Sequence, residues 1–261
     1  MIRYLGYIGL MTKIVEVKDL RKTYGEMTAV DGISFEVQKG EVFGILGPNG
    51  AGKTTTLEMI EAMRPIDGGE VTLSGLNVAQ NPSAIKRIIG IQPQSVSFQD
   101  KTRLTEILEL FAAAYGEKVD PMKLLEEVQL SEKANSYVEN LSGGQKQRLS
   151  IAAALVHNPK VFFLDEPTTG LDPQARRNLW ELVQQIQKKG VTVLITTHYM
   201  DEAEVLCDRV AIMDQGKIIA LDKPKNLIKQ LLGRGFTKHQ EVEQANLEDV
   251  FIDLTGRGLR D

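Results

Sequence analysis

The stretch GPNGAGKTTT, residues 47–56, places three glycines, one lysine and three threonines between two apolar segments, EVFGIL (41–46) and LEMIEAM (57–63). The pattern GxxxxGK[ST] lets glycine backbone N–H groups wrap a di- or triphosphate, while Lys53 neutralises the β and γ groups and Thr54 binds Mg²⁺. A helix that begins near Gly52 adds the partial positive charge of its N-terminus. The sequence therefore predicts a phosphate-binding loop between a buried strand and a helix.

The composition is that of an ordinary soluble globular protein. The 261 residues, of which 42% are hydrophobic and 25% charged, suffice for one large domain or two small ones. A net charge of -4 gives no bulk attraction to nucleic acid, so no nucleic-acid partner is expected. Cys207 is the only cysteine and no cleavable signal is present, which indicates a reducing cytosol. No segment approaches the roughly 20 apolar residues of a membrane span, so any membrane work falls to a partner.

Short apolar strands alternating with helices predict an α/β fold with a mostly parallel, covered sheet. The first strand-like segments are IVEV, GISFEV, EVFGIL, EVTL and IIGIQ. Two denser apolar runs, KVFFLDE (160–166) and VTVLITTH (191–198), are separated by the amphipathic segment ARRNLWELVQQIQKK. The block from about Phe98 to Val156 lacks strand patterns and is predicted to be a helical insertion.

Acidic residues follow the first dense run, and a histidine ends the second. An Asp and a Glu at the end of a buried strand are costly unless a cation lies nearby, and Mg²⁺ would be that cation. Asp165 would then hold the metal through its water shell, and Glu166 would be the general base for the attacking water. Parallel strands place their carboxyl ends at one ligand-binding edge, so His198 is expected at the γ-phosphate. His157 and His239 lack such context and are interpreted as structural.

The stretch LSGGQKQR, residues 141–148, has two compatible interpretations. Ser142 and Gln145 have the spacing of a capping box that begins the helix KQRLSIAAALV. Gly143 and Gly144 have no side chains to cover the backbone N–H groups at the same helix start. These accessible N–H groups suit a second phosphate. One chain would then carry two phosphate-binding helix ends.

As a set, these motifs resemble the ATP-binding subunits of ABC transporters. In that family GPNGAGKTT is the Walker A loop, LSGGQ the signature, VFFLDE the Walker B strand and TGLDP the D-loop, and His198 matches the switch histidine. Gln94 in GIQPQS matches the Q-loop glutamine, and Tyr24 in LRKTYG matches the aromatic residue that stacks on adenine. The match runs in order from about Thr12 to Leu221.

The resemblance implies a fold, a set of ligands and a set of site residues. The fold is a P-loop NTPase core with a mostly parallel sheet, an antiparallel β subdomain and a helical insertion, and the ligands are ATP and Mg²⁺. Glu166 and His198 are expected to be catalytic, and Thr54, Gln94 and Asp165 are expected at the metal. The residues expected at the nucleotide are Tyr24, Gly47, Pro48, Asn49, Gly50, Ala51, Gly52, Lys53, Thr54, Thr55, Gln94, Ser142, Gly143, Gly144, Gln145 and Asp172.

Three segments are predicted along the chain. Residues 1–11 form a leader of doubtful start, and we hypothesise that translation begins at Met11 because the strand pattern KIVEV follows it. Residues 12–225 form the ATP-binding domain, with the helical insertion at about 98–156. Residues 226–261 form a short extension in which Leu247, Val250, Phe251 and Leu254 fall on one helical face. That face is expected to pack on its own subunit, with a dimer contact as the alternative.

The family's architecture implies the partners. Two subunits, a homodimer or a paralogous heterodimer, pair head to tail, and each ATP lies between Walker A of one and the signature of the other. Hydrolysis separates the pair and drives a separate polytopic membrane subunit, which places the chain in the cytoplasm on the inner face of the cell membrane. The segments THYMDEAEVLCDRVAIMDQGKIIALDKP and LEDVFIDLTG look like exporters of the drug-resistance, daunorubicin-exporter type.

Other nucleotide-binding proteins are weighed against this prediction. A soluble ABC-superfamily ATPase with a regulatory or ribosome-associated role remains the alternative, although ribosome-associated members usually carry two cassettes. A DNA-repair or chromosome-structuring protein would need a long coiled coil between Walker A and the signature, and none fits in this chain. A GTPase is excluded because no NKxD base-reading motif occurs.

Overall fold

The computed structural model describes residues 12–94 and 97–235. The predictions that concern a start at Met11, a structural His239 and the apolar face of the extension lie outside the described residues. The strands are β1 (Lys13–Tyr24), β2 (Met27–Gln38), β3 (Val42–Leu46), β4 (Gly68–Leu73), β5 (Leu76–Asn77), β6 (Ile89–Gln92), β7 (Val161–Asp165), β8 (Thr192–Thr197), β9 (Arg209–Asp214) and β10 (Lys217–Asp222). The α-helices are α1 (Lys53–Ile60), α2 (Pro82–Lys86), α3 (Leu104–Tyr115), α4 (Pro121–Glu127), α5 (Gly143–Leu155), α6 (Pro173–Lys188), α7 (Met200–Leu206) and α8 (Pro224–Gly233).

The strands form two sheets. The larger one has the order β10-β9-β3-β8-β7-β6, and its strands are parallel except for β10, which pairs antiparallel with β9. Every residue of β3, β7 and β8 is buried, which explains their uninterrupted apolar sequences. The smaller sheet has the order β2-β1-β4-β5 and is antiparallel. The predicted fold, with a mostly parallel sheet and an antiparallel β subdomain, is confirmed.

Two hydrophobic cores lie on the two faces of the larger sheet. Alternate residues of β7 point into different cores, because successive side chains of a strand face opposite sides. Phe162 and Leu164 join the core that includes α3, α5 and α6, whereas Val161 and Phe163 join the core under the smaller sheet. The carboxyl ends of β3, β7 and β8 therefore share one edge with packed layers on both sides.

The predicted helical insertion contains α3, α4 and α5 together with two short 3₁₀ helices, Ser131–Lys133 and Val138–Asn140. Within residues 97–156 the only β pairing is an isolated bridge between Arg103 and Tyr137. α3 buries one face through Leu104, Ile107 and Leu108. This block is therefore helical, as its apolar spacing predicts.

The chain divides into two compact units, one through Leu227 and one from Ile228. The described part of the second unit is the end of α8 followed by a turn that reaches Gly235. No helix among the described residues is long and apolar enough to cross a membrane.

Candidate functional site

The predicted phosphate-binding loop connects β3 to α1 and requires glycine at two points. Gly52, the residue before α1, has a left-handed φ of 101°, and a Cβ there would lie 2.3 Å from the carbonyl oxygen of Ala29. A Cβ on Gly47 would lie 2.1 Å from the carbonyl oxygen of Met213. Side chains at either point would displace backbone, so the loop depends on its glycines. The loop ends at a helix start, where the first N–H groups have no partner within the helix.

Lys53 is the first residue of α1 and is buried, with only 5% of its surface exposed. Its ammonium group donates to the carbonyl oxygens of Gly47 at 2.9 Å and Pro48 at 3.0 Å. The same group lies 3.0 Å from Glu166 Oε1. The lysine thus closes the loop against the acidic end of β7, and a buried charge here is compensated by an opposite one.

Glu166 follows β7 directly and has a positive φ of 46°, which is uncommon for a residue other than glycine. Its backbone N–H donates to the carbonyl and hydroxyl oxygens of Thr196 on β8, at 3.1 and 3.0 Å. Burial acts to raise the pKa of Glu166, but Lys53 and His198 beside it outweigh burial and hold that pKa below its usual value. Glu166 is therefore ionised at neutral pH and able to accept a proton.

The oxygens suited to a magnesium ion lie at the same strand ends. The Thr54 hydroxyl lies 3.1 Å from Asp165 Oδ1, which also accepts a hydrogen bond from the Thr196 hydroxyl. Burial raises the pKa of Asp165. One carboxylate and one hydroxyl fit a metal that is otherwise bound by phosphate and water, and oxygen ligands are those that Mg²⁺ prefers. The described residues hold no group of three or more His, Cys, Asp or Glu side chains that could bind a metal without such help.

Two further predicted residues contact Glu166. His198, immediately after β8, has its Nδ1 3.1 Å from Glu166 Oε2. The Gln94 amide donates to the same oxygen at 3.5 Å, a long hydrogen bond. The strand ends of β3, β7 and β8 thus bring Lys53, Glu166 and His198 to one point, as the topology predicts.

An open cavity of about 320 Å³ surrounds this point. Tyr24, at the end of β1, is one of the lining residues and is 37% exposed, with the cationic groups of Lys22 and Arg64 at 5.6 and 5.3 Å from its ring centroid. The cavity is lined by Tyr24, Met27, Ala29, Asn49, Gly50, Gly52, Lys53, Thr54, Thr55, Gln94 and Glu166. The cavity wall thus includes both an exposed aromatic ring and residues of the predicted phosphate loop.

The signature residues do not line this cavity. Ser142 is the N-cap of α5: its hydroxyl accepts from the Gln145 N–H at 3.3 Å, and the Gln145 side chain accepts from the Ser142 N–H at 2.9 Å. The predicted capping box is therefore present, with Gly143 and Gly144 in the first turn. Asp172 is the N-cap of α6, accepting from the backbone N–H groups of residues 174 and 175.

Several residues near the site were not predicted from the sequence. Thr196 bonds both Asp165 and the Glu166 backbone, and its only signal was a polar residue inside an apolar strand. Glu61, one residue after α1, is 5% exposed, and burial together with the neighbouring Asp165 and Glu58 raises its pKa to about 8.

His157, interpreted from the sequence as structural, has its Nε2 atom 2.9 Å from the carbonyl oxygen of residue 89. Burial lowers the pKa of His157.

Comparison with known proteins assigns the class. The family model described as ABC transporter matches residues 30–169. The linearmycin resistance ATP-binding protein LnrL of Bacillus subtilis is 42% identical over 253 residues, covering 95% of this chain and 76% of the relative. The Nod factor export ATP-binding protein I of Ralstonia nicotianae is 43% identical over 227 residues, covering 85% and 71%. The ATP-binding cassette MJ0796, solved as a dimer in a post-hydrolysis state with ADP and Pi, has a TM-score of 0.72 at 26% identity, covering 81% of this chain and 99% of that one.

The chain belongs to the ABC transporter family, as one of its ATP-binding and ATP-hydrolysing subunits. The predicted family, ATPase activity and exporter type are confirmed, because the two curated relatives are named for resistance and for export. The role of each site residue stays a prediction.

Proposed function

We propose that this chain acts as one half of an ATP-dependent dimer that powers export through a separate polytopic membrane subunit. The observation that carries the dimer is the separation of the two phosphate-binding helix ends: the cavity at Lys53 is lined by none of the residues from Ser142 to Gln145. If both ends serve the same ATP, the second end comes from another copy or from a paralogue. The dimeric cassette MJ0796 supports this arrangement.

In this proposal the phosphates of ATP take Lys53 as their main counter-charge, while Tyr24 stacks on the base. Glu166 accepts a proton from a water molecule whose oxygen forms a bond to the γ-phosphorus. The bond from that phosphorus to the bridging oxygen breaks, and the electron pair leaves with ADP. His198 and Gln94 both contact Glu166, which supports a role for them in orienting the γ-phosphate and the water.

Mg²⁺ fits the oxygens of Thr54 and Asp165, and Gln94 is the third residue proposed at the metal. When bound, the ion neutralises charge on the β and γ phosphates. Hydrogen bonds from Thr54 and Thr196 hold the Asp165 carboxylate in place, and this carboxylate would hold the ion through its water shell.

ATP hydrolysis would drive a conformational change because ATP binds only the closed state of the dimer. A ligand that binds one state stabilises that state in proportion to its concentration and affinity, and loss of the γ-phosphate removes this stabilisation. The chain would act in the cytoplasm, held on the inner face of the membrane by its membrane subunit.

Membrane fractionation tests the proposal. If a neighbouring gene encodes a polytopic membrane protein, as this proposal expects, the chain would be expressed with and without that protein, and membranes would be separated by flotation. We expect the chain and its ATPase activity to float with the membranes only when that protein is present, and Glu166→Gln to remove the activity while the chain still floats.

One result of the flotation experiment would contradict the proposal. A chain that stays in the soluble fraction with full ATPase activity, whether or not the membrane protein is present, would contradict coupling to transport. That outcome would favour the alternative of a soluble ABC-superfamily ATPase with a regulatory or ribosome-associated role.

A further inference from the structure

A buried carboxylate, Glu202, lies next to the site but outside its cavity. The residue belongs to α7, four positions after His198, and none of its surface is exposed. Burying a carboxylate costs free energy unless donors or cations surround it. The side chains around Glu202 therefore show how the cost of burying its carboxylate is offset.

The neighbours come from three different elements. The indole Nε1 of Trp180 on α6 donates to Glu202 Oε1 at 3.0 Å. Burial raises the pKa of Glu202, while the side chains of Thr197, Trp180 and Thr168 act against that rise. Glu202 Oε2 and Thr168 Oγ1 are both buried, and neither has a hydrogen-bond partner among the described residues. Thr197 ends β8 and Thr168 follows β7, so the carboxylate lies where both strand ends meet α6 and α7.

A second contact joins the same two helices beside His198. The Arg176 guanidinium lies 4.3 Å from the ring centroid of Tyr199 and 3.5 Å from the carboxylate of Asp201. The Tyr199 ring is in turn 4.1 Å from the His198 ring. Arg176 and Trp180 are four residues apart on α6 and so lie on one helix face. That face therefore contacts the segment 199–202 at two points.

We propose that Glu202 is a positioning residue that holds His198 in a fixed relation to α6. The proposal rests on the proposed function, in which His198 orients the γ-phosphate. Glu202 touches neither the cavity nor the phosphate loop, so it acts through Trp180 and the strand end at Thr197. Without the carboxylate, the indole loses its acceptor, and of these two polar contacts only that of Arg176 still joins α6 to the start of α7.

Kinetics and fluorescence test this role together. Glu202→Leu removes the acceptor at similar volume, and Glu202→Gln keeps one acceptor oxygen. We expect Glu202→Leu to lower kcat about 10- to 100-fold through displacement of His198, with KM for ATP changed less than about twofold. The kcat of Glu202→Gln should fall between that of Glu202→Leu and that of the parent protein.

Trp180 is the only tryptophan, so its emission wavelength should shift in both variants and report the altered contact directly. The matched control is Glu204→Gln, an exposed carboxylate on the same helix, which should change neither measurement.

A double-mutant cycle separates positioning from general destabilisation. If Glu202 acts through His198, the protein with His198→Ala and Glu202→Gln should turn over no more slowly than His198→Ala alone. Independent losses that multiply, or a parent-like kcat in both Glu202 variants with only a lowered Tm, would overturn the proposal. The proposed function would survive either result, because ATP hydrolysis by the parent protein and its loss in Glu166→Gln test that function separately.

Discussion

The Lys53 ammonium and the Glu166 carboxylate lie 3.0 Å apart, so the proposed phosphate-binding cation and the proposed general base neutralise each other. Each is buried, at 5% and 7% exposure, and each would be costly without the other. A triphosphate that draws Lys53 toward its own oxygens would release Glu166 from this pair. The pKa of Glu166, which Lys53 and His198 lower, would then rise and make the carboxylate a stronger base.

The first prediction follows from this pair. Glu166→Gln keeps the volume but removes the proton acceptor, and we expect turnover to fall by roughly 100- to 10,000-fold. ATP should bind at least as tightly as to the parent protein, because Lys53 no longer has a competing carboxylate. Phosphate release and equilibrium ATP binding measure the two effects, and ATP should hold a stable dimer in gel filtration.

The matched control for this change is Glu41→Gln. Glu41 is also paired, with Arg209 at 2.7 Å, but it lies just before β3, at the amino-terminal end of the strand. The site lies at the carboxyl end of the same strand. Its replacement should leave kcat unchanged. Near-parent hydrolysis by Glu166→Gln would remove Glu166 from the role of general base.

The second prediction concerns recognition of the base. The Tyr24 ring is 37% exposed at the cavity wall and offers a stacking surface rather than hydrogen bonds to the base edge. We expect Tyr24→Ala to weaken ATP binding by about 1 kcal/mol or somewhat more, while Tyr24→Phe stays close to the parent protein. GTP should be hydrolysed to a measurable extent, because stacking does not distinguish purines. Unchanged ATP affinity in Tyr24→Ala, measured by calorimetry, would place the base elsewhere.

The third prediction concerns pH and Glu61. Its pKa is raised from 4.5 to about 8 in the folded protein, so between these values the folded state binds a proton that the unfolded state has lost. The contribution of Glu61 to the free energy of unfolding therefore falls as pH rises from about 4.5 to 8. Glu61→Gln mimics the protonated form and should be more stable than the parent protein at pH 8 by roughly 2–4 kcal/mol, with little difference near pH 4.5.

Urea unfolding in metal-free buffer at both pH values measures this effect. Glu109→Gln, an exposed carboxylate on α3, is the control and should show no such pH-dependent gain. Equal stability of Glu61→Gln and the parent protein at pH 8 would show that the Glu61 carboxyl is solvated despite its position.

The site could be predicted where a local pattern encodes it. The glycines of the phosphate loop and the apolar strand before Asp165 are continuous in the sequence, and the strand ends converge because parallel strands share an edge. No strands are predicted from the sequence at β9 and β10, although VAIM (210–213) and IIAL (218–221) are apolar runs. Such short runs do not by themselves distinguish a strand from a buried helix segment, and on β10 the run is half-exposed, with Ile219 at 66%.

The buried acids could not be predicted for a different reason. Glu61 and Glu202 stand in helical segments where an acidic residue ordinarily faces solvent, and charged residues are rarely buried. Only the packing of α1 against β7, and of α7 against α6, brings them to Asp165 and Trp180. These contacts join residues distant in sequence, so no local spacing reports them.

The last prediction tests the composite site with two damaged proteins. Lys53→Ala removes the cation that closes the phosphate loop, and Ser142→Arg places a bulky side chain at the start of α5. Each homodimer then has two damaged sites, and neither protein alone should hydrolyse ATP. Mixed together, they form some heterodimers in which one site carries both lesions and the other carries neither. If Walker A of one chain works with the signature of its partner, the mixture should trap nucleotide at the intact site.

The Ser142 variant also loses the capping box, so its effect must be separated from damage to the helix. Ser142→Asp retains a good N-cap, worth about 1 kcal/mol, yet sets a negative charge against an incoming phosphate. It should therefore fold with parent-like Tm and complement Lys53→Ala as Ser142→Arg does. Lys217→Ala, at an exposed lysine outside the cavity, should be active alone and need no complementation. Proven subunit exchange without trapped nucleotide in either mixture would mean that each site is built within one chain, and Ser142 would keep only its role as the N-cap of α5.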